Sequence, residues 1–145
     1  MKNTFLLLTL MTVFIQVQSQ SIYKTAHTYL GKTKQQIVSI KGSKYEITDD
    51  GSFLYAYSEG KGISPAYLVF YFKDEVCYSV NLMFHNTQVN SVKKYMNNTF
   101  KPDEAKIPST EFWVKMWIEK EGNLSYSWSL TEKPEYAALS ILFWK

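Results

Sequence analysis

Polar and apolar positions alternate most cleanly between Val76 and His85. Val76, Tyr78, Val80, Leu82 and Phe84 take one parity, and Cys77, Ser79, Asn81, Met83 and His85 the other. A period of two sends successive side chains to opposite faces of a strand, so the spacing predicts a strand with the first set in the core. Runs of the same kind at 52–58 and 66–73 precede it, separated by Glu59-Gly60-Lys61-Gly62 and by the tight Lys73-Asp74-Glu75 connection. Together they read as an antiparallel meander. Three more strand patterns close the chain, at 111–120, 124–130 and 137–144, with Glu121-Gly122-Asn123 and Glu132-Lys133-Pro134 as turns.

Helical periods lie ahead of each set of strands. Residues 21–42 read as two pieces broken at Gly31. The second opens on Thr33-Lys34-Gln35-Gln36, a capping-box pattern, turns Ile37 and Ile40 inward and meets Gly42 at its end. Thr48-Asp49-Asp50-Gly51 is a turn signal. Asn86-Thr87 caps a further helix in which Val89, Val92 and Met96 fall on one side and Lys93 and Lys94 on the other. Residues 97–110, polar and carrying Pro102 and Pro108, read as a loop. The order is α-βββ-α-βββ, its halves recurring at a spacing of about 55–60 residues, either by duplication or because two helices pack on one face of a sheet. The expected fold is a two-layer α+β domain with about six antiparallel strands and the helices on one face.

Parity also divides the aromatic residues. Tyr55 and Tyr57 oppose Leu54 and Ala56. Tyr67, Val69 and Tyr71 oppose Ala66, Leu68, Phe70 and Phe72. Trp113, Lys115, Trp117 and Glu119 oppose Phe112, Val114, Met116 and Ile118. The expectation is that Tyr55, Tyr57, Tyr67, Tyr71, Trp113 and Trp117, with Lys115 beside them, lie on the sheet face away from the helices and bind a partner there. Rigid rings with polar tips are enriched at such surfaces. The competing reading is that these rings pair across strands and only shield the sheet.

The first residues change the address. Lys2, the apolar run Phe5-Leu6-Leu7-Leu8-Thr9-Leu10-Met11-Thr12-Val13-Phe14-Ile15 and Val17-Gln18-Ser19 have the form of a cleaved signal peptide. The run is too short to span a bilayer of roughly 30 Å, so no transmembrane segment is expected in the mature chain. The expected division is a signal peptide at 1–19, cut near Ser19/Gln20, and one domain at 20–145 that is periplasmic or secreted. The single cysteine, Cys77, excludes an internal disulfide and is not the lipid-bearing first residue of a lipoprotein.

Composition narrows the partners. At 46% apolar and 17% aromatic the chain is built for a packed core. A net charge of +3 gives no case for nucleic acid. Every basic side chain is Lys, so the bidentate fork that reads phosphate and guanine is absent. An all-Lys chain also fits an AT-rich bacterial genome. On that reading the sequons at Asn97-Asn98-Thr99 and Asn123-Leu124-Ser125 are chance.

Catalytic signatures are missing. There is no G-x-S-x-G, H-E-x-x-H, C-x-x-C or phosphate-cradling glycine loop, and Gly60-Lys61-Gly62 has no helix after it. Asp49-Asp50 reads as a turn. Cys77 and His85 share a parity, but eight residues of strand separate them by roughly 26 Å. His27 reaches either only through tertiary structure. Glu104, Glu111 and Glu119 have no pairing that spacing fixes. No catalytic residue, cofactor or metal is expected; a carboxylate pair assembled by the fold would instead make a hydrolase.

The stretch Leu30-Gly31-Lys32-Thr33-Lys34-Gln35-Gln36-Ile37, ahead of a meander, resembles the opening of small exported bacterial domains. Among them are the outer-membrane assembly lipoprotein of the BamE type and the β-lactamase inhibitor proteins, as well as small exported proteins of Bacteroidetes-type bacteria. The resemblance implies a non-catalytic interaction module. Its partner would be a protein or envelope component. A small-molecule or glycan carrier with an aromatic-lined cleft is the alternative.

Overall fold

Thr33 begins the helix that its capping box announces. Its hydroxyl accepts the Gln36 N–H at 3.3 Å, and the Gln36 side chain accepts the Thr33 N–H at 2.9 Å. In the computed structural model, which describes residues 22–57, 63–103 and 115–143, this helix runs Lys34–Lys41. It stops at Gly42, whose φ of +89° suits glycine and whose N–H reaches Val38 O at 2.8 Å. Before it comes α1, Ile22–Thr25, continued by a 3₁₀ turn at Ala26–Tyr29. The first helical segment ends just before Gly31, whose φ is +81°, where the sequence places the break. The Lys34–Lys41 helix is α2, and α3 spans Val89–Thr99 after a 3₁₀ turn at Asn86–Gln88.

Among the described residues eight strands form one sheet. They are β1 Glu46–Ile47, β2 Phe53–Ala56, β3 Tyr67–Lys73, β4 Val76–His85, β5 Lys101–Asp103, β6 Lys115–Glu121, β7 Leu124–Glu132 and β8 Tyr136–Phe143. Their order is β1-β2-β3-β4-β8-β7-β6-β5, and every neighbouring pair is antiparallel. The α+β expectation holds, and two short edge strands enlarge the expected six. Part of the segment read as a loop belongs to α3, which runs on to Thr99, and to β5; residues 104–114 lie outside the described residues. Each half is thus a helical segment followed by a four-stranded meander, and the two meanders join where β4 meets β8.

All three helices pack on one face. Tyr23 of α1 stacks on Phe84 at 6.1 Å and meets Tyr95 of α3 at 4.5 Å. Tyr29 stands edge-on to Phe70 at 5.2 Å, and Phe100 after α3 lies on Trp128 at 5.8 Å. The Lys34 ammonium of α2 sits over Phe53 and Phe72. The core therefore lies between the helices and the face carrying Phe70, Val80, Leu82, Phe84, Trp128 and Leu139.

One strand departs from strict alternation. Tyr71 pairs with Ser79 but Phe72 pairs with Cys77, so Tyr78 is an extra residue and the parity of β4 reverses below it. Cys77 is buried, whereas Val76 and Tyr78, expected in the core, are exposed. Two contacts hold the bulge. Beyond the end of β8 the Gly31–Thr33 loop takes over as partner, with Gly31 N–H on Cys77 O and Cys77 N–H on Lys32 O, both at 2.8 Å. Asp74 and Glu75 make the adjoining turn with φ of +51° and +66°.

Candidate functional site

The sheet divides the expected binding residues between its faces. Phe53 of β2 is opposite Phe70 and Tyr55 is opposite Leu68, so Tyr55 faces the helices. It is 3% exposed, donates its hydroxyl to Gly42 O at 2.8 Å and contacts Tyr45 and Phe70. Burial pushes its phenol up to about 12. Tyr57 follows in the same direction, packs partly buried against the core and has the Lys41 ammonium over its ring at 5.3 Å. Trp117 pairs with Trp128, is fully buried and donates its indole N–H to Asn97 Oδ1 at 3.0 Å. These three positions correct the sequence reading. Their polar neighbours marked the wrong face because the hydrophobic phase of β2 and β6 includes the aromatic residues themselves. Trp113 and the side chain of Lys115 lie outside the described residues.

Tyr67 and Tyr71 lie on the open face as expected. Directly opposed residues of an antiparallel sheet share a face, so three rows cross it. One runs Leu54, Val69, Asn81, Ser140, Ser129; the next runs Ala56, Tyr67, Met83, Ala138, Thr131; the third runs Tyr71, Ser79, Leu142, Ser127, Ile118. None of these residues is charged. Tyr67 is 45% and Tyr78 50% exposed, and Tyr71 lies 6.4 Å from Tyr78, centroid to centroid. Burial, then the charges of Asp50 and neighbouring tyrosines, hold the Tyr71 phenol above its ordinary range. Val69, Ser79 and Ser127 on this face are buried. The bulge adds Tyr78 to this face, and parity alone does not reveal it.

A second cluster sits at the inner end of β6. Glu119 and Glu121 follow Trp117 in phase, and His27 of the first helical segment lies between them. His27 Nε2 is 2.8 Å from Glu121 Oε2. His27 Nδ1 is 3.3 Å from Glu119 Oε1, within ion-pair reach but off the line of a hydrogen bond. The other Glu119 oxygen accepts the Trp128 indole N–H at 2.8 Å, and Tyr126 covers the imidazole at 5.1 Å. Burial raises the Glu119 carboxyl above its ordinary range, opposed by Trp128 and His27. The signal for this cluster was a carboxylate two and four residues beyond a buried Trp on one strand. His27 was not locatable from sequence.

The His27 imidazole lies between the two carboxylates, and the Glu121 side chain is exposed to solvent. The two ring nitrogens point to different carboxylates. Among the described residues no three His, Cys, Asp or Glu side chains are grouped to hold a metal. Cys77 is buried, its thiol pushed up to about 12, donating weakly to Ser79 O. None of the described helices is long and apolar enough to cross a membrane. Comparison of the chain with protein-family models, with curated proteins and with solved structures finds no match to any of them.

Proposed function

We propose that the chain is an exported, non-catalytic binding module that holds a protein or envelope component on the open face of its sheet. The observation that carries this reading is the three uncharged rows that cross β3, β4, β8 and β7, with the exposed rings of Tyr67, Tyr78 and Tyr136 in them and at their margins. An extended surface of this kind, without charge and with rigid amphipathic rings, matches the centre of a recognition site better than an ordinary solvated face. The leader pattern at the N-terminus, outside the described residues, supplies the exported setting. Tyr67, Tyr71 and Tyr78 are the ring contacts; Asn81, Ser129 and Ser140 offer hydrogen bonds between them.

The His27–Glu119–Glu121 cluster supports a fastening role. It ties the first helical segment to β6 through the contacts of His27 with Glu119 and Glu121. The test uses Tyr67→Glu and Tyr78→Glu together, in the purified chain immobilised against envelope extract of the source cell. Both positions are exposed, so the variant keeps the wild-type circular dichroism spectrum. The reading expects loss of every component that the wild type retains specifically. Full retention by the folded variant overturns it.

A further inference from the structure

The open face is lopsided. On β3 it carries Tyr67, Val69 and Tyr71, whereas on β7, three strands along the sheet and across the β4/β8 centre line, it carries Thr131, Ser129 and Ser127 at the same three levels. One half is raised by rings and the other is lowered by small hydroxyl side chains. A two-fold axis parallel to the strands, above the β4/β8 seam, turns a second copy over and exchanges its halves. Tyr67 of each copy then lies over Thr131 of the other, Val69 over Ser129 and Tyr71 over Ser127. This is the self-complementarity that an isologous interface requires.

We infer that the occupant of this face is a second copy of the chain, packed sheet on sheet. The inference rests on the reading of the open face as the binding surface and names its partner. Charge permits the contact, because the three rows bring no like charges together even though the chain is net basic. Area permits it too. Five strands at about 4.8 Å and five residues at about 3.3 Å give a plate of roughly 24 by 17 Å. Side-chain relief and the flanking Tyr78 and Tyr136 enlarge that footprint, which stays in the range of small, weakly associating interfaces and below the roughly 800 Å² per partner of a standard one. The short hydroxyl side chains opposite the rings let the sheets approach to the usual spacing of about 10 Å.

Light scattering coupled to size exclusion, from micromolar to millimolar chain, reads the mass directly. The wild type is expected at twice the chain mass, and Tyr67→Glu and Thr131→Lys are each expected at the single mass. Mixing the two variants restores the double mass, because the Lys of one copy then meets the Glu of the other while the remaining Tyr67–Thr131 contact is native. Far-UV circular dichroism checks that each variant is folded. A wild type that stays monomeric at millimolar concentration, a dimer that survives either substitution, or variants that do not recombine would each overturn the arrangement. Failure of this inference is separable from failure of the binding reading. A monomeric wild type whose Tyr67→Glu variant loses envelope capture overturns only the dimer. A Tyr67→Glu variant that dissociates yet keeps full capture overturns only the envelope reading.

Discussion

Tyr55 and Tyr67 are the same residue type on neighbouring strands, and the fold gives them opposite fates. Tyr55 is buried against Tyr45, Phe70 and Gly42 O, whereas Tyr67 stands on the open face. Truncating a buried ring to Ala costs about 3–5 kcal/mol through lost burial and the cavity left behind. Removing the phenol also leaves Gly42 O without that donor, a further loss of about 1 kcal/mol. Tyr67→Ala removes a half-exposed ring and costs no more than about 0.5–1 kcal/mol. For a domain stable by about 5–15 kcal/mol the first change is a large fraction of the total and the second is minor. Urea unfolding followed by Trp fluorescence, at a dilution that keeps the chain monomeric, separates them. The Tyr55→Ala midpoint falls steeply, with a melting temperature lower by roughly 10–20 °C, while Tyr67→Ala stays close to wild type. Tyr55→Phe isolates the hydroxyl at about 1 kcal/mol. Equal costs at the two positions, within about 1 kcal/mol, would refute the assignment of faces.

Other consequences follow from single sites. Glu75→Gly relieves about 1–2 kcal/mol of left-handed strain at φ +66° and forfeits an exposed Lys34 ion pair worth at most about 1 kcal/mol, so the urea midpoint rises; a fall contradicts the turn geometry. The folded Glu119 carboxyl is raised above 4.5, so its contribution to stability is present in acid and is lost as pH rises through the raised value. Glu119→Gln keeps an acceptor for Trp128 and removes that slope, so its advantage over wild type grows from pH 4.5 upward; parallel pH profiles of unfolding would show that the carboxyl is not desolvated. Cys77 stays unreactive towards Ellman's reagent in the native protein and reacts once urea unfolds it; rapid native labelling would contradict its burial.

Much of the fold was legible because local signals agreed with the global arrangement. The capping box at Thr33, the break at Gly31 and the Lys73-Asp74-Glu75 hairpin are chemistry within a few residues, and each appears where the pattern places it. β1 and β5 were not legible, since strands of two and three residues have no period to read. The candidate face was half legible. Parity groups residues correctly within a strand but does not say which group meets the helices; only register does. Phe53 opposite Phe70 turns Tyr55 inward, and Trp117 opposite Trp128 does the same on β6. Tyr78 escaped for another reason, because a bulge breaks parity, and the Gly31–Thr33 loop that pairs beside it lies far upstream in the chain. His27 met Glu119 and Glu121 through tertiary packing, which no spacing encodes.

The central claim is that the face carrying Tyr67 and Tyr78 is open and holds a partner. Hydroxyl-radical footprinting with mass spectrometry, on dilute monomeric chain alone and then with envelope extract or at dimer-forming concentration, tests it most directly. The account expects Tyr67, Tyr78 and Tyr136 to oxidise readily in the dilute chain, Tyr55 to be protected throughout, and the first three to become protected when a partner or second copy is present. Tyr67 and Tyr78 as protected as Tyr55 in the dilute monomer, or unchanged under both other conditions, would contradict it.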